Sequence, residues 1–102
     1  MKKILFSSAL VALMSSSLFA HTALMSCFDN GDDTVTCEGG FSDGSSAKGV
    51  KFMLEQNGKT IAEAKFGDDS TYTFKKPEGE YVAKFYAGEG HEVTVKSSDI
   101  AE

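Results

Sequence analysis

The sequence predicts an all-β fold, a two-layer sandwich of about seven short, antiparallel-dominated strands, and three observations carry that prediction. Apolar residues recur with a period of two in several segments. Turn signals rich in Gly, Asn, Asp and Ser, such as Asn57-Gly58 and Gly67-Asp68-Asp69, interrupt the chain every eight to twelve residues or so. Beyond the first twenty residues, no stretch shows the periodicity of an amphipathic helix of ordinary length.

The N-terminal segment differs in kind from the rest. Met1-Lys2-Lys3 gives a positive start, Ile4 to Met14 an apolar run too short to span a bilayer, and Ser15-Ser16-Ser17-Leu18-Phe19-Ala20 a small, polar exit. This is the layout of a secretory signal peptide over residues 1–20. Cleavage after Ala20, with Leu18 at the −3 position, leaves residues 21–102 as one domain of 82 residues beginning at His21. Two other routes compete: cleavage after Ala23, which puts His21 at −3, and the lipobox-like Leu24-Met25-Ser26-Cys27, where Met replaces the usual small residue. The Lys-Lys start and Ser-rich exit look bacterial, so the periplasm is the first choice of compartment and free secretion the second, with no stable membrane insertion after signal removal. Loss of Lys2 and Lys3 leaves eight basic against fifteen acidic side chains, a net charge of −7. That balance disfavours a nucleic-acid surface and an anionic-lipid anchor.

The first strand is predicted from Ala23 to Phe28 and the second from Thr34 to Phe41, joined by a hairpin whose turn carries Asn30-Gly31. A turn centred on Gly31 and Asp32 sets Cys27 opposite Cys37. An even pair in an oxidising compartment forms a disulfide by default, and the pair lacks the C-x-x-C spacing of a redox or metal-binding thiol site. Ser42-Asp43-Gly44-Ser45-Ser46 then reads as a surface loop.

The third strand, Val50 to Gln56, alternates Val50, Phe52 and Leu54 with Lys51, Met53 and Glu55. Asn57-Gly58 is a two-residue hairpin signal leading into a fourth strand from Lys59 to Phe66, although Thr60 to Lys65 taken alone looks helical. Tyr72 and Phe74 mark a strand over Thr71 to Phe74, Tyr81, Ala83 and Phe85 one over Glu80 to Ala87, and Val93 and Val95 one over Glu92 to Lys96. Seven such strands argue an immunoglobulin-like sandwich. Its filling is assigned to Phe28, Phe41, Phe52, Phe66, Tyr72, Phe74, Tyr81 and Phe85, because a base-stacking platform needs basic neighbours and the chain has no Arg.

Two histidines stand at informative positions. As the first residue of the processed chain, His21 offers an α-amine and a ring Nδ1 that chelate one metal ion in a six-membered ring. The amine, with a pKa near about 8 in peptides, must lose its proton to do so. His91 sits in Gly88-Glu89-Gly90-His91-Glu92, where glycines let the backbone turn sharply. In many immunoglobulin-like sandwiches the first strand pairs parallel to the last, which sets the starts of both strands, and so His21 and His91, side by side. Three nitrogens from two residues suit Cu(II) or Ni(II). Glu89, Glu92 and Met25 are further candidate donors. The bland counterpart is that both histidines are solvated surface residues.

Other clusters read as structure. Asp29, Asn30, Asp32 and Asp33 miss the spacing of a calcium loop and fit a hairpin tip. With no nucleophile motif, P-loop or His pair on a helix, the chain is not expected to be an enzyme.

From Gly39 onward, five short motifs resemble a known pattern: Gly40-Phe41-Ser42-Asp43-Gly44, Gly49-Val50-Lys51-Phe52, Thr71-Tyr72-Thr73-Phe74, Pro77-Glu78-Gly79-Glu80-Tyr81 and Ala87-Gly88-Glu89-Gly90-His91. They resemble the carboxypeptidase regulatory-like, transthyretin-like β-sandwiches, and among them small periplasmic proteins that accompany nickel and cobalt uptake systems of the energy-coupling-factor type. Such proteins often begin with a His-initiated strand and carry a Gly-x-Gly-His turn near the end of the domain, which His21 and His91 match. The resemblance implies binding of nickel, cobalt or copper and contact with an uptake permease. Members commonly continue into a C-terminal transmembrane helix, whereas this chain stops at Ser97-Ser98-Asp99-Ile100-Ala101-Glu102, and the cysteine hairpin is not expected across the group. The rival expectation is a small interaction or cell-surface module with no metal.

Overall fold

A computed structural model describes residues 22–100. The predicted leader, its cleavage point and His21 lie outside the described residues. Seven strands follow in order: β1 (Ala23–Asp29), β2 (Thr34–Phe41), β3 (Lys51–Gln56), β4 (Lys59–Lys65), β5 (Thr71–Lys75), β6 (Val82–Tyr86) and β7 (Glu92–Lys96), with a short 3-10 turn at Ser97–Asp99. Each predicted strand is present. The ambiguous Thr60 to Lys65 is extended because Asn57 (φ 53°) and Gly58 (φ 78°) form a two-residue turn with left-handed backbone at both positions, pairing Gln56 with Lys59.

The strands form two sheets, β1-β2-β5 and β4-β3-β6-β7, in which every ladder is antiparallel. The parallel pairing anticipated between the first and last strands is not formed: β1 bonds to β2, β7 bonds to β6, and the two meet only across the interface between sheets. The cause is local. Each strand is joined by a three-residue loop to its hairpin partner, which places it in that partner's sheet, and pairing β1 with β7 would join the two sheets along that edge into one.

The inward positions fall as the period of two dictates. Val35, Cys37 and Phe74 from one sheet meet Phe52, Leu54, Ala83 and Phe85 from the other, all buried, with Ala23, Ala47, Phe66 and Tyr81 completing the core. The rings form a connected series: Phe41 lies 5.5 Å from Phe85, Phe85 5.4 Å from Phe66, Phe66 5.8 Å from Phe52, Phe52 5.3 Å from Phe74 and Phe74 5.9 Å from Tyr81. At Gly39 an added Cβ would stand 2.6 Å from the Phe85 ring, so the inward face of β2 gives up a side chain there to admit that ring.

Phe28 corrects the predicted core, being 47% exposed. Along β1 the inward set is Ala23, Met25 and Cys27, and the pairing of Cys27 with Cys37 sends Phe28 to the solvent face. β4 is exposed along its length except for half-buried Ala64. Lys59 and Lys65 flank this edge and the register shifts between Leu54 and Glu55, features that discourage pairing with another chain.

Candidate functional site

The two ends of the sandwich are built differently, and His91 belongs to the one where β1 begins. Ala87 N–H donates to the His91 carbonyl (3.0 Å) and His91 N–H to the Gly88 carbonyl (2.9 Å), closing the loop Gly88-Glu89-Gly90. The backbone there needs glycine, since Gly88 and Gly90 have φ of 118° and 83°. The exposed His91 side chain lines a shallow cavity of about 210 Å³ with Phe41, Ser45 and Ala87. Phe41 pairs with Ala23 in the β1–β2 ladder, and one step further out Ser42 N–H donates to the Thr22 carbonyl (2.9 Å) while Thr22 N–H donates to Ser42 Oγ (3.1 Å). The start of β1 and the start of β7 therefore share one end and both strands run away from it, although no ladder joins them.

Among the described residues, no three His, Cys, Asp or Glu side chains converge to hold a metal ion. The further donors named from the sequence are placed as follows. Glu92 extends toward Lys84, 3.7 Å away in an ion pair shared with Glu55. Met25 packs against the core. Glu89 sits at the loop tip, and neither its carboxylate nor the His91 ring has a hydrogen-bond partner among the described residues.

At the opposite end the ionisable groups are consumed by the chain itself. Asn30 N–H donates to the Thr34 carbonyl (2.9 Å) across a loop of three residues, with Gly31 at φ 81° and Asp33 at φ 72°. The hairpin is thus centred on Asp32. A two-residue turn at Gly31 and Asp32 would have set Cys27 against Thr36; the third loop residue sets it against Cys37, and the disulfide forms. The two Cα atoms are 4.0 Å apart, at a non-hydrogen-bonded pair where cross-strand side chains come closest.

Asp32 Oδ1 accepts from the Thr34 N–H (3.1 Å) and hydroxyl, and Asp29 Oδ1 accepts from the Gly31 N–H (2.8 Å). Asp29 also pairs with Lys76. That hydrogen bond, then the one from Gly31, holds its carboxyl below the usual carboxylate range. Burial pushes the nearby Tyr81 phenol up, with Lys76 opposing and Asp29 adding. The acidic cluster is hairpin structure.

A broad cleft of about 600 Å³ lies over Gly40 on the outer side of the three-stranded sheet, between Leu24, Ser26, Glu38 and the loop residues Ser46 and Ser70. Among the described residues it presents only Glu38 and Asp69 as titratable groups, and Asp69 Oδ1 already accepts from the Thr71 N–H (3.1 Å) and hydroxyl (2.8 Å). Comparison with protein-family models, with curated proteins and with solved structures gave no match.

Proposed function

We propose that this protein is a periplasmic, non-enzymatic binder of a divalent transition metal, nickel, cobalt or copper, that assists its uptake or delivery, on a sandwich of the transthyretin-like, carboxypeptidase regulatory-like kind. In this reading the signal peptide is removed after Ala20, the new N-terminal His21 binds through its amine and ring, and the His91 ring supplies a third nitrogen. The observation that carries it is the shared end: Thr22, whose nitrogen bears the preceding residue, is fixed to Ser42, beside Phe41 and Ser45 of the His91 cavity. Imidazole and amine donors suit these metals, and the need to free the amine makes binding strengthen as pH rises through about 8.

The test is calorimetric titration of correctly processed protein with Ni(II), Co(II), Cu(II) and Zn(II), beside protein carrying one extra residue ahead of His21 and beside His91→Ala. Each change should weaken binding separately. Equal affinity in all three proteins would remove the site and favour the interaction-module reading.

A further inference from the structure

We infer that the free edge of β1 is an interface with a second copy of this chain, which pairs antiparallel through its own β1 about a two-fold axis at Ser26. The inference is independent of the metal reading. Each sheet ends in two edge strands, β1 and β5 in one and β4 and β7 in the other. Three of these edges carry lysine, a common guard against pairing with another chain: Lys59 and Lys65 on β4, Lys75 on β5 and Lys96 on β7. β1 carries no lysine, no proline and no charge before its last residue, and Asp29 is already paired with Lys76. Its ladder with β2 runs from Ala23 to Asp29 without the register shift seen beside β4. Two of the three exposed large apolar side chains among the described residues, Leu24 (49%) and Phe28 (47%), stand on its outer face.

Backbone parity selects the register. Ser42 N–H donates to the Thr22 carbonyl and Asn30 N–H to the Thr34 carbonyl, so the even-numbered residues of β1 direct their backbone groups to β2. Ala23, Met25, Cys27 and Asp29 direct theirs to the open side. Among the described residues β1 is hydrogen-bonded to β2 alone, and β7 meets it only across the sheet interface, so no strand takes up these donors and acceptors. With the axis at Ser26, Ala23 falls opposite the second copy's Asp29 and Met25 opposite its Cys27, as hydrogen-bonded pairs. Leu24 falls opposite the second copy's Phe28 at a non-hydrogen-bonded pair, where cross-strand side chains come closest. The exposed apolar groups thus cover each other twice, and no like charges meet. Moving the axis to Met25 or Cys27 sets both apolar groups opposite Ser26 and either Thr22 or Asn30. The match is that of Leu24-Met25-Ser26-Cys27-Phe28 with its own reverse, which singles out a second copy over an unrelated strand.

The test is sedimentation equilibrium with a chelator present, so that no metal bridges the copies. A reversible monomer–dimer equilibrium should be evident by about 1 mM, since a contact built on one strand pair is small. Leu24→Lys and Phe28→Glu should each weaken association about ten-fold or more, because each sets a charge against an apolar group. The double variant should return to within about three-fold of the unaltered protein, because the register sets the introduced opposite charges against each other at both sites. Both positions are exposed, so far-UV circular dichroism of every variant should match the unaltered protein, which separates lost association from lost fold. A protein that stays monomeric through about 1 mM overturns the inference and leaves the edge to a strand of another protein. Dimerisation untouched by both single changes overturns it too, by placing the contact on another surface. Weakening by the single changes without recovery in the double variant overturns the Ser26 register.

Discussion

Each end of this sandwich carries a hairpin loop of three residues, Gly31-Asp32-Asp33 at one and Gly88-Glu89-Gly90 at the other, and the two loops spend their polar groups in opposite ways. At the first, Asn30 Nδ2 donates to the Thr34 and Thr36 hydroxyls, Asp32 caps Thr34, Asp29 takes Gly31 and Lys76, and a disulfide closes the strands just behind. At the second, the closing bonds are backbone to backbone, glycine supplies the required conformations, and the side chains of Glu89 and His91 take no part. Both loops do the same structural task. A hairpin that holds itself with backbone alone leaves its donors for something else, which is why chemistry is sought at the His91 end and not in the denser acidic cluster.

Four measurements would break or sharpen this contrast, and the largest effect should come from the core that joins the ends. Phe85 is fully buried and touches both Phe41, at the His91 end, and Phe66. Phe85→Ala should cost about 3 to 5 kcal/mol in urea unfolding, close to the whole stability of so small a domain. A cost under about 1 kcal/mol would show that the rings do not form one core.

Next comes the staple of the self-contained end. Reducing Cys27–Cys37 should cost about 2 to 4 kcal/mol by releasing the hairpin loop in the unfolded chain, and the untreated protein should show no titratable thiol. Two reactive thiols in the native protein would contradict the bridge.

A smaller effect should follow the Asp29–Lys76 pair. Because the folded carboxyl titrates below its ordinary value of 3.8, its contribution is fully present above that value and is lost as pH falls through the folded pKa. Asp29→Asn should therefore be less stable than the unaltered protein at neutral pH, with the gap closing in acid. A gap that is constant down to strongly acid pH would mean that the ion pair is not its source.

The smallest effect on stability should be at the open end. His91→Ala removes an exposed ring with no hydrogen-bond partner among the described residues, so the metal-free protein should change by less than about 0.5 kcal/mol. Any rise in melting temperature produced by added metal should shrink in the same variant. A large loss of metal-free stability would make His91 a structural residue and erase the difference between the ends.

The sequence by itself determined the strands and, in β3 and β6, which face points inward, because alternation is a local property: Phe52, Leu54, Ala83 and Phe85 are inward by position along their own strands. It determined the cysteine bridge as well, since both partners lie in one hairpin. Apolar type alone places Phe28 inside, whereas its face depends on parity, and parity there is set by a single extra loop residue at Asp33. Tertiary structure alone decided how strands far apart in the chain are grouped. β1 and β7 start at the same end as anticipated, yet each is an edge strand of its own sheet and they face each other across the sheet interface instead of pairing. It also placed the loop from Ser42 to Ser45 between Thr22 and the His91 cavity, through bonds linking residues 20 apart and a pocket joining residues 46 apart in numbering. No periodicity or motif spans such distances, because they are set by how two finished sheets lie on each other.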